Sequence, residues 1–294
     1  MLFFAALVVD GALAGAVYAL IALAFVVVYK ASRMINFALG EWVMVGAGLT
    51  ATGVNVAGLS LVPALVLASG GMIALALAFN RIVLRPLVGR PLIALIMVTL
   101  GFGALLRGTS SLALAGVPRR LALPIPTEPI AVAGLLLPAE KIVSAAVALS
   151  AIALLTWAFH HSRAGVALRA IADDQQVAMA MGIELGRYFA ITWAVVGVIA
   201  VLAGTLWTAV SGSGLGIVIV GLKVFPVVVI GGLDSIPGTL VAAVLIGVLE
   251  SLAAGYADPV LGAGFSTVAP YVALIAMLFA RPHGFFGRPD VVRI

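Results

Sequence analysis

The sequence predicts an all-α polytopic membrane bundle of about eight or nine transmembrane helices, at least one of them broken or re-entrant. Three observations predict it. Of the 294 residues, 64% are hydrophobic and 9% charged, whereas soluble domains carry about 25% charged residues. The apolar residues fall in long runs, most of them near the ~20 residues that cross the hydrocarbon. Most of the basic residues fall at or near the ends of the runs. The 33 glycines suit close helix packing and helix breaks. No stretch is both long and polar enough for a soluble domain, so residues 1–294 read as one transmembrane domain.

The runs follow in order. The first span is expected at Gly11–Tyr29, the second at Asn36–Val54, the third at Leu59–Leu84 and the fourth at Pro91–Leu112. A polar, proline-rich link, AGVPRRLALPIPTEP, interrupts the series. The fifth span is Pro138–Phe159. A polar block separates it from the sixth, Tyr188–Val210. An interrupted run covers Ile217–Leu233, and the last two spans are Pro237–Tyr256 and Ser266–Ala280. The opening GALAG, Gly11–Gly15, has the spacing of a helix-packing face, a weak signal in so small-residue-rich a chain.

Orientation follows from the excess of Lys and Arg on the cytoplasmic side. Lys30 and Arg33 follow the first span. Arg81, Arg85 and Arg90 separate the third from the fourth. Arg163, Arg169 and Arg187 separate the fifth from the sixth, and Arg281, Arg288 and Arg293 lie in the tail. With alternating sides, all four clusters share one face. That sets the N-terminus outside and the C-terminus in the cytoplasm. Arg119 and Arg120 fall outside, against the trend. The formal net charge of +5 therefore reads as topology, not as a nucleic-acid surface. MLFFAALVVDG lacks the charged start of a cleaved signal.

Several chemistries are excluded. There is no cysteine, hence no disulfide, thiolate metal site or cysteine nucleophile. HExxH and GxSxG are absent, and no metal site is expected. A phosphate-binding loop needs GxxxxGK[ST]. Lys30, Lys141 and Lys223 are followed by Ala, Ile and Val, so this chain cannot hold ATP by that motif.

The block HHSRAGVALRAIADDQQVAMAMGIELGR is the one sizeable polar segment inside, with residues 163–187 at its centre. Asp173 is placed to N-cap a short helix, with Gln176 three residues on as in a capping box. Gly182 suits the residue just past its end. A helix of about two turns is unstable alone. Either it orders against its own bundle, or Val177, Ala178 and Met181 dock onto a partner.

RAIADDQQVAMAMGI resembles the cytoplasmic coupling segment of the permease subunits of ABC importers for branched-chain amino acids, the LivH type. GALAGAVYALIALAFVVVY followed by MINFALGEWVMVGA resembles that family's opening. GLKVFPVVVIGGLDSIPGTLVAAVLIGVLE resembles its C-terminal half, and PHGFFGRPD its tail. One departure is Leu39, where many relatives carry His. The resemblance implies a partner set: a second, related permease, two cytoplasmic ATPases that bind the ATP and Mg, and an extracytoplasmic binding protein. It implies a bacterial inner-membrane location, no enzyme activity and no cofactor in this chain. It also implies that Arg169, Asp173, Asp174, Gln176, Val177, Ala178, Met181 and Gly182 belong to the segment that enters an ATPase cleft.

Charges at membrane depth cost about 2.5–3.5 kcal/mol each on insertion scales, so they face the bundle or a cavity. Asn36 and Glu41 lie in RMINFALGEW. In one reading Glu41 snorkels near the inner interface and pairs with Arg33 or Lys30. In the other, Gly40 permits a helix break whose freed backbone groups line a path. Glu250 stands about 20 Å along its helix from Pro237, either as a structural hydrogen-bonding group or in the pathway. Lys223 interrupts IVIVGLKVFPVVVIGG. With Gly221, Pro226, Gly231 and Gly232 it suggests a kinked or re-entrant element, and it pairs with Glu250 or lines the route.

The expected function is therefore translocation of branched-chain or related amino acids, with urea, amide or aromatic-acid cargo as variants. A stand-alone ion-coupled secondary transporter is the rival. It would recruit Asp10, Glu41 and Glu250 as its coupling-ion site.

Overall fold

A backbone in hydrocarbon must pair its own N–H and C=O groups, and the apolar runs do so as helices. The structure is a computed structural model and describes residues 1–87, 90–117, 121, 125, 128–132, 134–211, 216–281 and 284–287. The helices are α1 (Leu2–Ser32), α2 (Leu39–Asn55), α3 (Leu61–Phe79), α4 (Leu92–Ala113), α5 (Ala139–His161), α6 (Arg163–Asp173), α7 (Gln175–Ala180), α8 (Leu185–Ser211), α9 (Gly216–Gly231), α10 (Ile236–Leu252), α11 (Asp258–Leu261) and α12 (Phe265–Ala280). A short antiparallel hairpin, β1 (Ile130–Val132) with β2 (Leu135–Leu137), precedes α5. It was not expected from the sequence. The positive φ of Gly134, 82°, makes its tight turn possible.

Among the described residues six helices are long and apolar enough to cross a membrane. They lie at α1, α3, α4, α5, α8 and α10, with α3 and α10 counted with their extensions. The chain is a multi-pass membrane protein. α2, with 17 residues, and α9 and α12, with 16 each, fall below that length. α3 runs on through a π turn at Asn80–Leu84 and a 3₁₀ turn at Arg85–Leu87. α10 runs on through a π turn at Ala253–Ala257 into α11.

The expected interruption within Ile217–Leu233 is corrected over the described residues. Gly216–Gly231 forms one unbroken helix with Pro226 inside it. Membrane helices tolerate such a proline because the freed carbonyl is satisfied locally or by neighbours. The chain turns only at Gly232, φ 100°.

The chain divides into two compact units. One comprises Met1–Val26, Pro124–Leu149 and Lys223–Ile294. Its signature is the GALAG stripe. A Cβ at Gly11 would lie 2.6 Å from the Gly247 carbonyl oxygen, and one at Gly15 would lie 2.8 Å from that of Ala243. Gly11 and Gly15 therefore lay α1 directly on the Ala243–Gly247 face of α10, small residue on small residue. Phe285 N–H donates to the Ile230 carbonyl at 2.8 Å, returning the tail to the end of α9. Asp258 accepts from both the N–H and the hydroxyl of Ser266, at 2.8 Å each, which secures the first turn of α12.

The other unit comprises Val27–Leu123 and Ser150–Leu222. α2, α3 and α8 pack closely here. Gly204 meets the Val43 carbonyl, Gly46 meets Val201, and Gly197 meets Met72. At the centre Trp42, Phe79, Phe102 and Trp193 form an aromatic cluster. Phe79 and Phe102 have centroids 4.2 Å apart, and Phe79 and Trp193 4.9 Å. Tilted and edge-on pairs of this kind add to the burial of the rings.

Candidate functional site

Three groups of residues matter. The first surrounds the link between α1 and α2. α1 stops at Ser32 and α2 starts at Leu39. Arg33 takes a positive φ of 54°, alone among the described non-glycine residues. Asn36 is buried. Its Oδ1 accepts from Ala38 N–H at 3.0 Å, while its Nδ2 has no partner. Thr99 accepts from Phe37 N–H at 3.4 Å. Glu41 forms an ion pair with Arg107. Thr99, Gly103 and Arg107 recur every four residues, so they share one face of α4. A Cβ at Gly103 would lie 3.2 Å from the Glu41 carboxyl, so the glycine leaves room for that side chain.

Two expectations fail here. Glu41 pairs with Arg107, not with Arg33 or Lys30. Arg33 is committed elsewhere, and Lys30 lies over the Phe159 ring, 5.8 Å from its centroid. Gly40 is not the break. The break lies upstream, at residues 33–38, and Gly40 sits inside α2. A Cβ on Gly40 would lie 2.5 Å from the Val218 carbonyl oxygen, and one on Gly221 would lie 2.5 Å from Gly40 N. The two glycines permit a backbone crossing of α2 and α9.

The second group ties α1, α9 and α10. Lys223 forms an ion pair with Glu250, and Tyr18 Oη donates to the other carboxylate oxygen at 2.6 Å. Both charges are mostly buried, and each neutralises the other in a setting where an isolated charge is costly. Gly231 lies against the start of α10, where a Cβ would meet Thr239 N at 2.6 Å. At Gly232 the close neighbour is Gly287 N, also at 2.6 Å.

The third group is the α6–α7 pair. Ser162 caps α6 by accepting from Gly165 N–H at 3.0 Å. α6 buries Gly165, Ala167, Leu168 and Ile171. The cap of α7 is Asp174, not Asp173. It accepts from Gln176 N–H at 2.7 Å and Val177 N–H at 3.0 Å. Asp173 is the last residue of α6, so its backbone is still helical and unavailable for the extended geometry of a cap. The expected capping box is absent as a result. At the other end Gly182, φ 83°, donates to Met179 O at 2.9 Å, and Ile183 donates to Ala178 O at 3.0 Å. This is a Schellman motif.

Ala178 does not face outward. It is 3% exposed and packs with Ala31, Leu168 and Ile171, because a helix of under two turns has only one face to bury. Val177, Met179 and Met181 point outward, Met181 at 79% exposure. Met179 was missed in the sequence. Side chains cap the exposed carbonyls at three neighbouring helix ends. Arg169 donates to Phe159 O at 2.6 Å and His160 O at 3.3 Å. Arg33 donates to Ala172 O at 2.9 Å. Gln175 donates to Ala31 O at 3.5 Å.

The family described as branched-chain amino acid transport system / permease component matches residues 7–280. The chain belongs to that family. The permease is similar to the high-affinity branched-chain amino acid transport system permease protein BraD of Pseudomonas aeruginosa, at 30% identity over 97% of this chain and 96% of the relative. It is 29% identical to the permease protein LivH of the same kind of system in Escherichia coli, over 100% of this chain and 98% of the relative. LivH of Salmonella typhimurium gives the same 29% identity over the same shares of both chains. No solved structure gives a significant match.

In the permease Glu41, Lys223 with Glu250, and Asp10 thus stand in three ion pairs, the last with Lys141, while Asp174 caps a helix. The positively charged member of the first pair, Arg107, was overlooked. A lone arginine in LLRGTSS near the end of an apolar run reads as an interfacial anchor. Its signal was its place within the run, because an arginine there needs a partner. Arg169 and Ala178, expected in the coupling surface, instead hold the α6–α7 pair to its own unit. Asp173, Asp174, Gln176, Val177, Met181 and Gly182 remain exposed.

Proposed function

We propose that this permease is the membrane subunit of an ATP-driven importer that moves branched-chain or related amino acids delivered by an extracytoplasmic binding protein. The observation that carries the reading is the near full-length similarity to permeases whose names specify high-affinity branched-chain amino acid transport. The complex contains a second, related permease and two cytoplasmic ATPases. Those ATPases bind the ATP and Mg, since this chain's three lysines stand in no phosphate-binding loop. The chain resides in the inner membrane with eight or nine spans, the N-terminus outside and the C-terminus cytoplasmic. The four basic clusters on one face support that topology.

The exposed Val177, Met179 and Met181 dock in an ATPase cleft, with Asp173, Asp174 and Gln176 at the rim. Closure of the ATPases on ATP then drives alternating access in the bundle. Asn36 and Glu41 with Arg107 in one unit, and Lys223 with Glu250 in the other, are the pathway candidates. Because each charge there has its opposite beside it, the passage carries little net field, which suits a zwitterionic cargo with an apolar side chain.

The test is uptake of labelled leucine into proteoliposomes that carry the two permeases and both ATPases, with loaded binding protein outside and ATP inside. Uptake that needs all four chains and ATP is expected. Uphill uptake by this chain alone, driven by an ion gradient, would replace the proposal with a secondary transporter.

A further inference from the structure

We infer that Arg33 and Gln175 form a strut that delivers movement of the α6–α7 pair to the link that holds Asn36 and leads into α2 with Glu41. The inference rests on the importer reading above. It begins from the backbone at Arg33. A positive φ of 54° suits glycine and disfavours any residue with a Cβ. The backbone alone would favour glycine there, so an arginine at this position points to a role for its side chain.

That side chain makes two contacts. Its guanidinium lies over the Tyr29 ring, 5.8 Å from the centroid, and donates to Ala172 O at 2.9 Å. Ala172 is the penultimate residue of α6, so its carbonyl lacks a partner within the helix. Gln175 at the start of α7 donates in the opposite direction, to Ala31 O in the last turn of α1. Ala31 is itself buried against Leu168, Ile171 and Ala178. The joint between α6 and α7 is thus bonded both to the end of α1 and to the first residue of the link.

The link is short and held at its far side. Two residues, Met34 and Ile35, lie between Arg33 and Asn36, so the three steps reach about 11 Å at most. Asn36 caps Ala38, Phe37 bonds to Thr99, and Glu41 is paired with Arg107. A displacement of α6 must therefore pull on this segment or break the Arg33 and Gln175 bonds. Arg33 is a positioning residue that acts through the link and touches no cargo.

The test uses the reconstituted four-chain complex with its binding protein, in wild type, R33G and Q175A. Three quantities are read: assembled complex, ATP hydrolysed and leucine taken up. R33G relieves the backbone, so assembly and hydrolysis are expected to stay at wild-type level. Uptake per ATP should fall about fivefold or more, the range of an ordinary coupling free energy. Q175A should shift the ratio the same way by less. An unchanged ratio in R33G overturns the inference. So does a parallel loss of uptake and hydrolysis, which would make Arg33 a plain helix cap. A wild-type complex that hydrolyses ATP without uptake overturns the importer reading, and the strut with it.

Discussion

Truncating Arg107 is the sharpest probe of the α2–α4 pair. The Glu41 side chain is 6% exposed and that of Arg107 54%, so the two partners are not equivalent. R107A strands a buried carboxylate. Removing one partner of a buried pair costs about 3–5 kcal/mol, and the solvent-facing half of the arginine places this case near the lower figure. E41Q leaves the guanidinium half outside and able to reach polar surroundings along its stem. Its cost is about 1 kcal/mol, that of an ordinary hydrogen bond. The double variant E41Q/R107Q has no stranded charge and should lie within about 1 kcal/mol of wild type. At about 2–4 °C per kcal/mol, R107A should lower the thermal midpoint by about 6–12 °C and E41Q by about 2–4 °C. Thermal unfolding of the detergent-purified chain, followed by size-exclusion fluorescence, reads all four species. Equal losses in R107A and E41Q would refute the argument from burial. A double variant as unstable as R107A would refute the pairing itself.

Three further outcomes follow from the same geometry. K223M leaves Glu250 with only the Tyr18 hydroxyl and should cost about 3 kcal/mol in the same assay, against about 1 kcal/mol for Y18F. G11A drives a Cβ to within 2.6 Å of the Gly247 carbonyl oxygen and should cost about 1–3 kcal/mol. G70A, with nothing within 4 Å, should be neutral or stabilise by about 0.5–1 kcal/mol. M181D should leave the thermal midpoint unchanged while weakening capture of the ATPases about tenfold or more, because a buried apolar contact is worth about 1.5–3 kcal/mol. A178D should instead destabilise the chain itself, since that side chain is enclosed.

The apolar runs were legible because a bilayer imposes length and composition directly on sequence. The pairing of charges was only partly so. Lys223 and Glu250 stand out as isolated charges in apolar helices, and each is the other's nearest solution. Arg107 sits near the end of its run, where hydropathy alone cannot tell an anchor from a buried partner. Asp173 and Asp174 are equally good caps by chemistry. Which one serves is decided by the burial of Ile171 and Ala178, a tertiary fact. Gly40 was read as a break because glycine weakens helices, yet the same missing Cβ lets another backbone approach. Only the position of α9 distinguishes those uses.

The seam between GALAG and α10 limits how the permease can move. Where Gly11 and Gly15 meet Ala243 and Gly247, main chain lies on main chain, with no side chains to rotate aside. Neither helix can slip along the other without first lifting away and losing that whole line of contact. The opening of α1 and the middle of α10 must therefore travel as a single rail. Whatever reorients Glu250 during turnover carries Tyr18 along with it.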